Sequence, residues 1–172
     1  MGKQKHLLYF AYGANMNLRS MAHRCPGAKA LGKLVLPDWE LVFRGCADIV
    51  PNKGKKVRGV LWRITPDCEK SLDRFEGFPN LYIKRFFEIR LKDLAELGMF
   101  YVMREKRTPS PPSDHYFKTI HTGYRTFGHN PKHLVRAAEA ALPLEDFNQL
   151  EFLDGHVNWA DAEAGNWWEN GR

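Results

Sequence analysis

Cysteine is scarce, with only Cys25, Cys46 and Cys68 in 172 residues. An odd number with no CxxC spacing implies neither a disulfide framework nor a cysteine-built zinc site, and it suits a reducing compartment, so the expected location is cytoplasmic. Long hydrophobic runs are missing as well. Nothing approaches the roughly 18 apolar residues of a membrane helix, and no apolar stretch near the N-terminus has the form of a signal peptide, so no membrane partner is expected. Neither GxSxG nor a P-loop occurs, and Ser20, Ser71, Ser110 and Ser113 sit in no strand-to-helix elbow, which removes the serine-hydrolase and nucleotide-hydrolase signatures. Of seven histidines, His129 and His133 stand four apart, but Pro131 lies between them and no HExxH carboxylate completes the pattern. No metal is expected. The cysteines lack a neighbour that lowers a thiol pKa and are read as core or surface residues.

The chain carries a formal charge of +6 and a pI near 9.3, a balance that suits anionic partners in general. Its charges are scattered, however. The densest runs, Lys53–Arg58 (KGKKVR) and Arg104–Arg107 (REKR), are not interleaved with aromatics and read as solvated loops, so no nucleic-acid partner is expected. With 44% hydrophobic residues the length suits one domain, placed at 1–142, followed by an aromatic-rich extension, 143–172, that contains Trp159, Trp167 and Trp168. That extension offers a self-association surface for a homodimer or a cover for a cavity mouth, and its sequence leaves both open.

The first strand is expected over Leu7–Ala11 (LLYFA), an apolar run too short for a helix buried all round. Asn17 caps a short helix to about His23 with Leu18, Met21 and Ala22 on one face. Strands are expected over Ala28–Leu36 and Trp39–Phe43 around a Pro37–Asp38 turn, followed by a loop over Gly45–Lys56 and a strand over Val57–Ile64. Thr65 and Pro66 open a helix to about Phe75, with Cys68, Leu72 and Phe75 facing inward. Tyr82–Leu91 and Met99–Met103 read as strands joined through Asp93–Glu96. The proline-rich Thr108–Ser113 (TPSPPS) leads into a helix with a stripe of Phe117, Ile120, Tyr124 and Phe127, and Pro131 starts another carrying Leu134, Val135, Ala138 and Leu142. Strands dominate the first hundred residues without a βαβ rhythm. The expected class is α+β, a curled sheet or small mixed-strand barrel flanked by helices.

Two stretches offer chemistry. At Tyr12-Gly13-Ala14-Asn15 an apolar strand stops at glycine, giving either an ordinary strand-to-helix turn or a loop whose N–H groups can face an anion or carbonyl oxygen. At Leu72–Gly77 (LDRFEG), Glu76 stands at a helix C-terminus, where the macrodipole disfavours a carboxylate. Tyr82 and Tyr116 stand beside later breaks.

With these residues the sequence resembles the γ-glutamyl cyclotransferase superfamily, AIG2-like proteins included. The family's strand-Tyr-Gly-Ser-Asn pattern matches Tyr12 to Asn15, with Ala14 where serine is usual. Its Leu-Asp-x-x-Glu-Gly pattern followed by tyrosine matches Leu72 to Gly77 with Tyr82, and Pro111–Ile120 (PPSDHYFKTI) is similar to the C-terminal part of the cyclotransferase branch. The resemblance implies a mixed-strand barrel, a loop of Tyr12, Gly13, Ala14 and Asn15 cradling a small γ-glutamyl substrate, and Glu76 as general acid/base. The implied reaction is intramolecular aminolysis: the substrate's α-amine attacks its own γ-carbonyl, releasing 5-oxoproline and an amine or amino acid, with no cofactor. The same scaffold also admits a cyclotransferase acting on a protected intermediate or isopeptide, or a binding protein without turnover. If the reaction is the implied one, Glu76 should lie in an apolar cavity with Phe75 and Phe78 as walls and a raised pKa. Tyr82 and Tyr116 are read either as hydroxyl donors to substrate or as core rings with surface hydroxyls.

Overall fold

The uninterrupted apolar run at the start of the chain has a simple cause: strand β1 (Leu7–Ala11) lies at the centre of a sheet covered on both faces, and Leu8 to Ala11 are all buried. The structure is a computed structural model that describes residues 6–91 and 94–143, without the side chains of 91 and 94. Apart from Pro143, the aromatic-rich extension and its tryptophans lie outside the described residues.

β1 is flanked by β3 (Cys46–Ile64), antiparallel from Leu7↔Ile64 to Ala11↔Val60, and by β5 (Leu94–Met103), parallel through Leu8↔Gly98 and Tyr9↔Met99. β2 (Lys29–Arg44) pairs β3, and β4 (Tyr82–Leu91) pairs β5, giving the order β2-β3-β1-β5-β4. Helices α1 (Leu18–Arg24), α2 (Pro66–Glu76), α3 (Asp114–Thr126) and α4 (Lys132–Glu139) complete the α+β architecture. The sheet is open. β2 and β4 stand at opposite edges with no ladder between them, so the expected barrel does not close. Core side chains from the helices, Leu72, Phe117, Ile120, Tyr124 and Leu134 among them, complete what strand pairing leaves open.

The β2–β3 hairpin replaces the expected turn at Pro37–Asp38 and most of the loop at 45–56. Pairing turns tightly around Gly45, with Arg44 opposite Cys46, and then jumps from Trp39↔Pro51 to Pro37↔Lys56. The residues between Pro51 and Lys56 form a bulge opposite Asp38, which has a φ of 61° and accepts the Gly54 N–H at Oδ1, 2.8 Å away. Pro, Asn and Gly therefore mark an interruption within a continuing hairpin, and a bulge is where a strand tolerates proline. Lys53, Lys55 and Lys56 are exposed, as expected of a solvated run. Among the described residues no helix is long and apolar enough to cross a membrane.

Two expected apolar faces are narrower than their spacing suggests. In α1 Met21 is buried, whereas Leu18 and Ala22 are exposed. In α2 Cys68 and Leu72 are buried while Phe75 is 45% exposed. Phe117, Ile120 and Tyr124 of α3 are buried, with Phe127 partly covered. Leu72 is fully buried one turn before Glu76. Leu72→Ala is expected to lower unfolding stability by roughly 2–5 kcal/mol in urea titration, whereas Leu18→Ala, at an exposed position, should change it by no more than about 0.5 kcal/mol.

Candidate active site

α2 delivers Glu76 by its own caps. Thr65 Oγ1 accepts the Cys68 N–H at 3.2 Å, Pro66 occupies the first turn, and Gly77 ends the helix with φ 62° and ψ 34°. This left-handed conformation suits glycine, and it lets the Gly77 and Phe78 N–H groups bond back to the carbonyls of Arg74 and Asp73. Behind the helix, Lys84 of β4 bridges Glu69 and Asp73, and Tyr101 of β5 donates to Asp73 Oδ1 at 2.6 Å. The last turn of α2 is thereby tied to the sheet.

The Glu76 carboxylate meets the loop that follows β1. Asn15, only 2% exposed, donates from Nδ2 to Glu76 Oε1 and to Tyr9 OH, both at 3.0 Å. Its Oδ1 accepts from Arg24 Nη1 at 2.8 Å, and the Arg24 guanidinium lies 3.6 Å from the centroid of the Phe75 ring. Burial pushes the Glu76 carboxyl up from its ordinary 4.5 to about 7, with the positive charge of Arg24 pulling the other way.

The loop is a 3₁₀ turn, Ala14–Met16, in which the Met16 N–H bonds to the Gly13 carbonyl at 2.9 Å and the Asn17 N–H to that of Ala14 at 3.1 Å. Gly13 has φ −112°, so positive φ is not its reason for being there. A Cβ at Gly13 would lie 3.2 Å from Tyr116 OH and 3.4 Å from Ala47 Cβ. Glycine allows the close approach of Tyr116.

A cavity of about 320 Å³, open solvent at its mouth included, brings together Tyr12, Gly13, Ala14, Asn15, Glu76, Tyr82 and Tyr116, every site residue expected from the sequence. It also recruits Tyr9, Ala47 and Tyr101. The expected apolar walls are mostly tyrosine rings. Phe75 sits at the rim, while Phe78 lies outside the lining, 38% exposed, with Lys84 Nζ 4.7 Å from its ring centroid.

The tyrosines divide by where their protons go. Tyr12 donates to the Tyr101 carbonyl at 2.6 Å, Tyr82 to the Ala47 carbonyl at 2.8 Å, and Tyr101 to Asp73. Tyr116 instead accepts the Ala47 N–H at 3.2 Å, and Tyr9 accepts from Asn15, so these bonds do not consume either hydroxyl's own proton. Burial raises the pKa of both phenols, which keeps them neutral donors. Ala47 is held in turn by Asp48, buried next to it, which pairs with Arg44 and accepts the Met103 N–H at 2.8 Å.

Tyr9, Tyr101 and Arg24 are additions that the sequence reading missed. A tyrosine inside an apolar strand is a signal, because its buried hydroxyl needs a partner. Nothing local marks Arg24. Cys25 and Cys68 are buried, and burial pushes the Cys25 thiol up to about 12, which makes it a poor nucleophile. Among the described residues no three His, Cys, Asp or Glu side chains gather as metal ligands; His129 Nε2 lies 2.8 Å from the Gly59 carbonyl oxygen.

A desolvated carboxylate facing a glycine loop in a small tyrosine-lined cavity defines a site suited to proton transfer on a small molecule. Residues 9–119 match the family described as gamma-glutamyl cyclotransferase, AIG2-like, and the chain belongs to that family. A human protein named gamma-glutamylcyclotransferase is 26% identical over 164 residues, covering 88% of this chain and 80% of its own length. A mouse protein of the same name is 28% identical over 134 residues, covering 70% and 71%. A solved structure called gamma-glutamyl cyclotransferase is 26% identical with a TM-score of 0.63, covering 86% of this chain and 87% of that one. These relatives support a cyclotransferase function at the level of the family.

The raised pKa of Glu76 has a stability consequence. The folded protein binds this proton more tightly than the unfolded chain, so the associated stability is fully present below about pH 4.5 and is lost as pH rises through about 7. Glu76→Gln is permanently neutral. In thermal melts at pH 8 it is expected to be more stable than wild type by up to roughly 3 kcal/mol, with the difference vanishing near pH 4.

Proposed function

We propose that this protein is a γ-glutamyl cyclotransferase that converts a γ-glutamyl amino acid or amine into 5-oxoproline and the free amine. The observation that carries this reading is Glu76: a half-buried carboxyl, its pKa pushed up to about 7 by desolvation, bonded to the loop that faces it. General acid/base catalysis is most efficient when the group's pKa lies near the working pH.

In the proposed reaction the substrate's γ-carbonyl lies against the loop and its α-ammonium against Glu76. Glu76 takes a proton from the ammonium, and the freed amine attacks the γ-carbonyl carbon, closing the five-membered ring. The carbonyl oxygen becomes an oxyanion. N–H groups of the Gly13–Asn15 turn and the Tyr116 hydroxyl are candidate donors to it, each worth roughly 3 kcal/mol if well aimed. Glu76 then returns its proton to the leaving nitrogen as the carbon–nitrogen bond breaks, and the second proton of the ring nitrogen passes to the released amine, which departs as its ammonium. Because amine and carbonyl belong to one molecule, holding it folded supplies much of the rate. Tyr12 and Tyr82, whose hydroxyl protons go to backbone carbonyls, act in this scheme as shaped walls. Ala14 contributes backbone and a methyl group at the position where the family's usual serine would add a hydroxyl.

The test is 5-oxoproline release from γ-glutamyl dipeptides, γ-glutamyl-ε-lysine, glutathione and γ-glutamyl amines. Wild type is expected to turn over at least one of these, and Glu76→Gln to lose about 10²–10⁴ in kcat. The profile of kcat/KM should rise with pH through about 7, because the ionised carboxylate is the form that accepts the proton. A folded wild type that binds these compounds without releasing product would establish the binding-protein alternative, and turnover of γ-glutamyl-ε-lysine alone would assign the isopeptide.

A further inference from the structure

An arginine that no step of the proposed chemistry uses stands beside the residue that moves its protons. Arg24, in the last turn of α1, lays its guanidinium 3.6 Å from the ring centroid of Phe75, the neighbour of Glu76 in α2. From there it donates to Asn15 Oδ1 at 2.8 Å.

The asparagine amide has two chemically opposite ends, and arginine possesses only donors. Whichever end meets Arg24 must therefore be the oxygen. The nitrogen is left to face Tyr9 OH and Glu76 Oε1, each 3.0 Å away. A donor aimed at a carboxylate favours its ionised form, whereas an amide turned the other way would offer an acceptor to the protonated form. Without Arg24 only the charge state of Glu76 itself selects between the two ends: an ionised carboxylate takes the nitrogen, and a protonated carboxyl can donate to the oxygen.

We propose that Arg24 is a positioning residue for Glu76: held by the Phe75 ring and bonded to Asn15 Oδ1, it locks the amide so that a donor faces the carboxylate, which can then accept a proton. This inference rests on the reading of Glu76 as the working carboxylate. The other groups that feel Glu76 are Tyr9 and Tyr12 of β1 and its loop, Cys46 of β3, Tyr82 of β4, Tyr101 of β5 and Tyr116 of α3. All are phenols or a thiol whose pKa is pushed up, so they are neutral at neutral pH. Among the described residues, Arg24 is the cation that acts on Glu76.

The experiment is a carboxyl-carbon NMR titration of the full chain, with the Glu76 signal identified by its loss in Glu76→Gln. It requires no turnover. The wild-type midpoint is expected near 7, and Arg24→Met is expected to move it up by about one unit. Arg24→Lys, which restores a charged donor to the asparagine oxygen, should bring the midpoint most of the way back. In an Asn15→Ala background, Arg24→Met should shift the midpoint by less than half as much, because the intermediary is gone. Arg24→Gln serves in place of Arg24→Met if the latter does not fold. An unchanged midpoint in a folded Arg24 variant overturns the inference, as does a full shift in the Asn15→Ala background, which would reduce Arg24 to a charge acting through space. Where turnover is measurable, the acid limb of kcat/KM should move with the NMR midpoint while KM changes less than about threefold. If wild type releases no 5-oxoproline but the midpoints move as described, the proposed function fails and the role of Arg24 stands.

Discussion

The site depends on a balance between the removal of Glu76 from water and the polar contacts that keep its charged form accessible. Burial alone would hold the carboxyl protonated, and a helix C-terminus adds a further unfavourable field. Against this stand the Asn15 amide and, behind it, Arg24. The result is a group poised near neutrality. A carboxylate left in water would be a weaker base, and one buried without partners would stay protonated at neutral pH.

Rigidity of the surrounding shell follows from the way the tyrosines are bonded. Tyr12 and Tyr82 each bond a backbone carbonyl on another strand, and Tyr101 bonds Asp73 of α2. Ala47 has no polar side chain, yet its carbonyl receives Tyr82 and its N–H goes to Tyr116. The buried pair of Arg44 and Asp48 pins that backbone to β5 through Met103. Apart from Arg44 Nε, which is buried without a partner among the described residues, these polar groups bond one another, which fixes side-chain positions at a cavity wall better than apolar contact alone.

Features set by a few adjacent residues were legible in the sequence. The opening of α2 at Thr65 and Pro66 and the apolar run of β1 depend on local chemistry, whereas the pairing of Glu76 with Tyr12–Asn15 came from the resemblance to the γ-glutamyl cyclotransferase superfamily. The open sheet was not legible, because closure depends on whether two edge strands far apart in the chain meet. The β2–β3 hairpin was misread for a different reason: Pro51, Asn52 and Gly54 signal irregular backbone, and a bulge uses the same residues as a loop. Phe75 and Phe78 were taken as walls from their hydrophobicity; Phe75 does line the cavity and Phe78 does not, and the remaining walls are mostly tyrosines on β1 and its loop, β4, β5 and α3. Arg24 could not be singled out, since its meaning arises only where α1, α2 and the loop after β1 converge.

The parallel pairing of β1 with β5 carries a consequence for how the molecule comes into being. β1 is five residues long, and its two neighbours are contributed by segments centred roughly fifty and ninety positions further along the chain. An emerging polypeptide can form the β2–β3 hairpin and α2 early, yet Tyr101 and Tyr116 are still missing from the cavity at that stage. Long-range pairing of this kind is slow to pay back its loop-closure entropy. The centre of the sheet therefore precedes both of its neighbours along the chain, and Glu76 loses its water only when the second half of the domain has arrived.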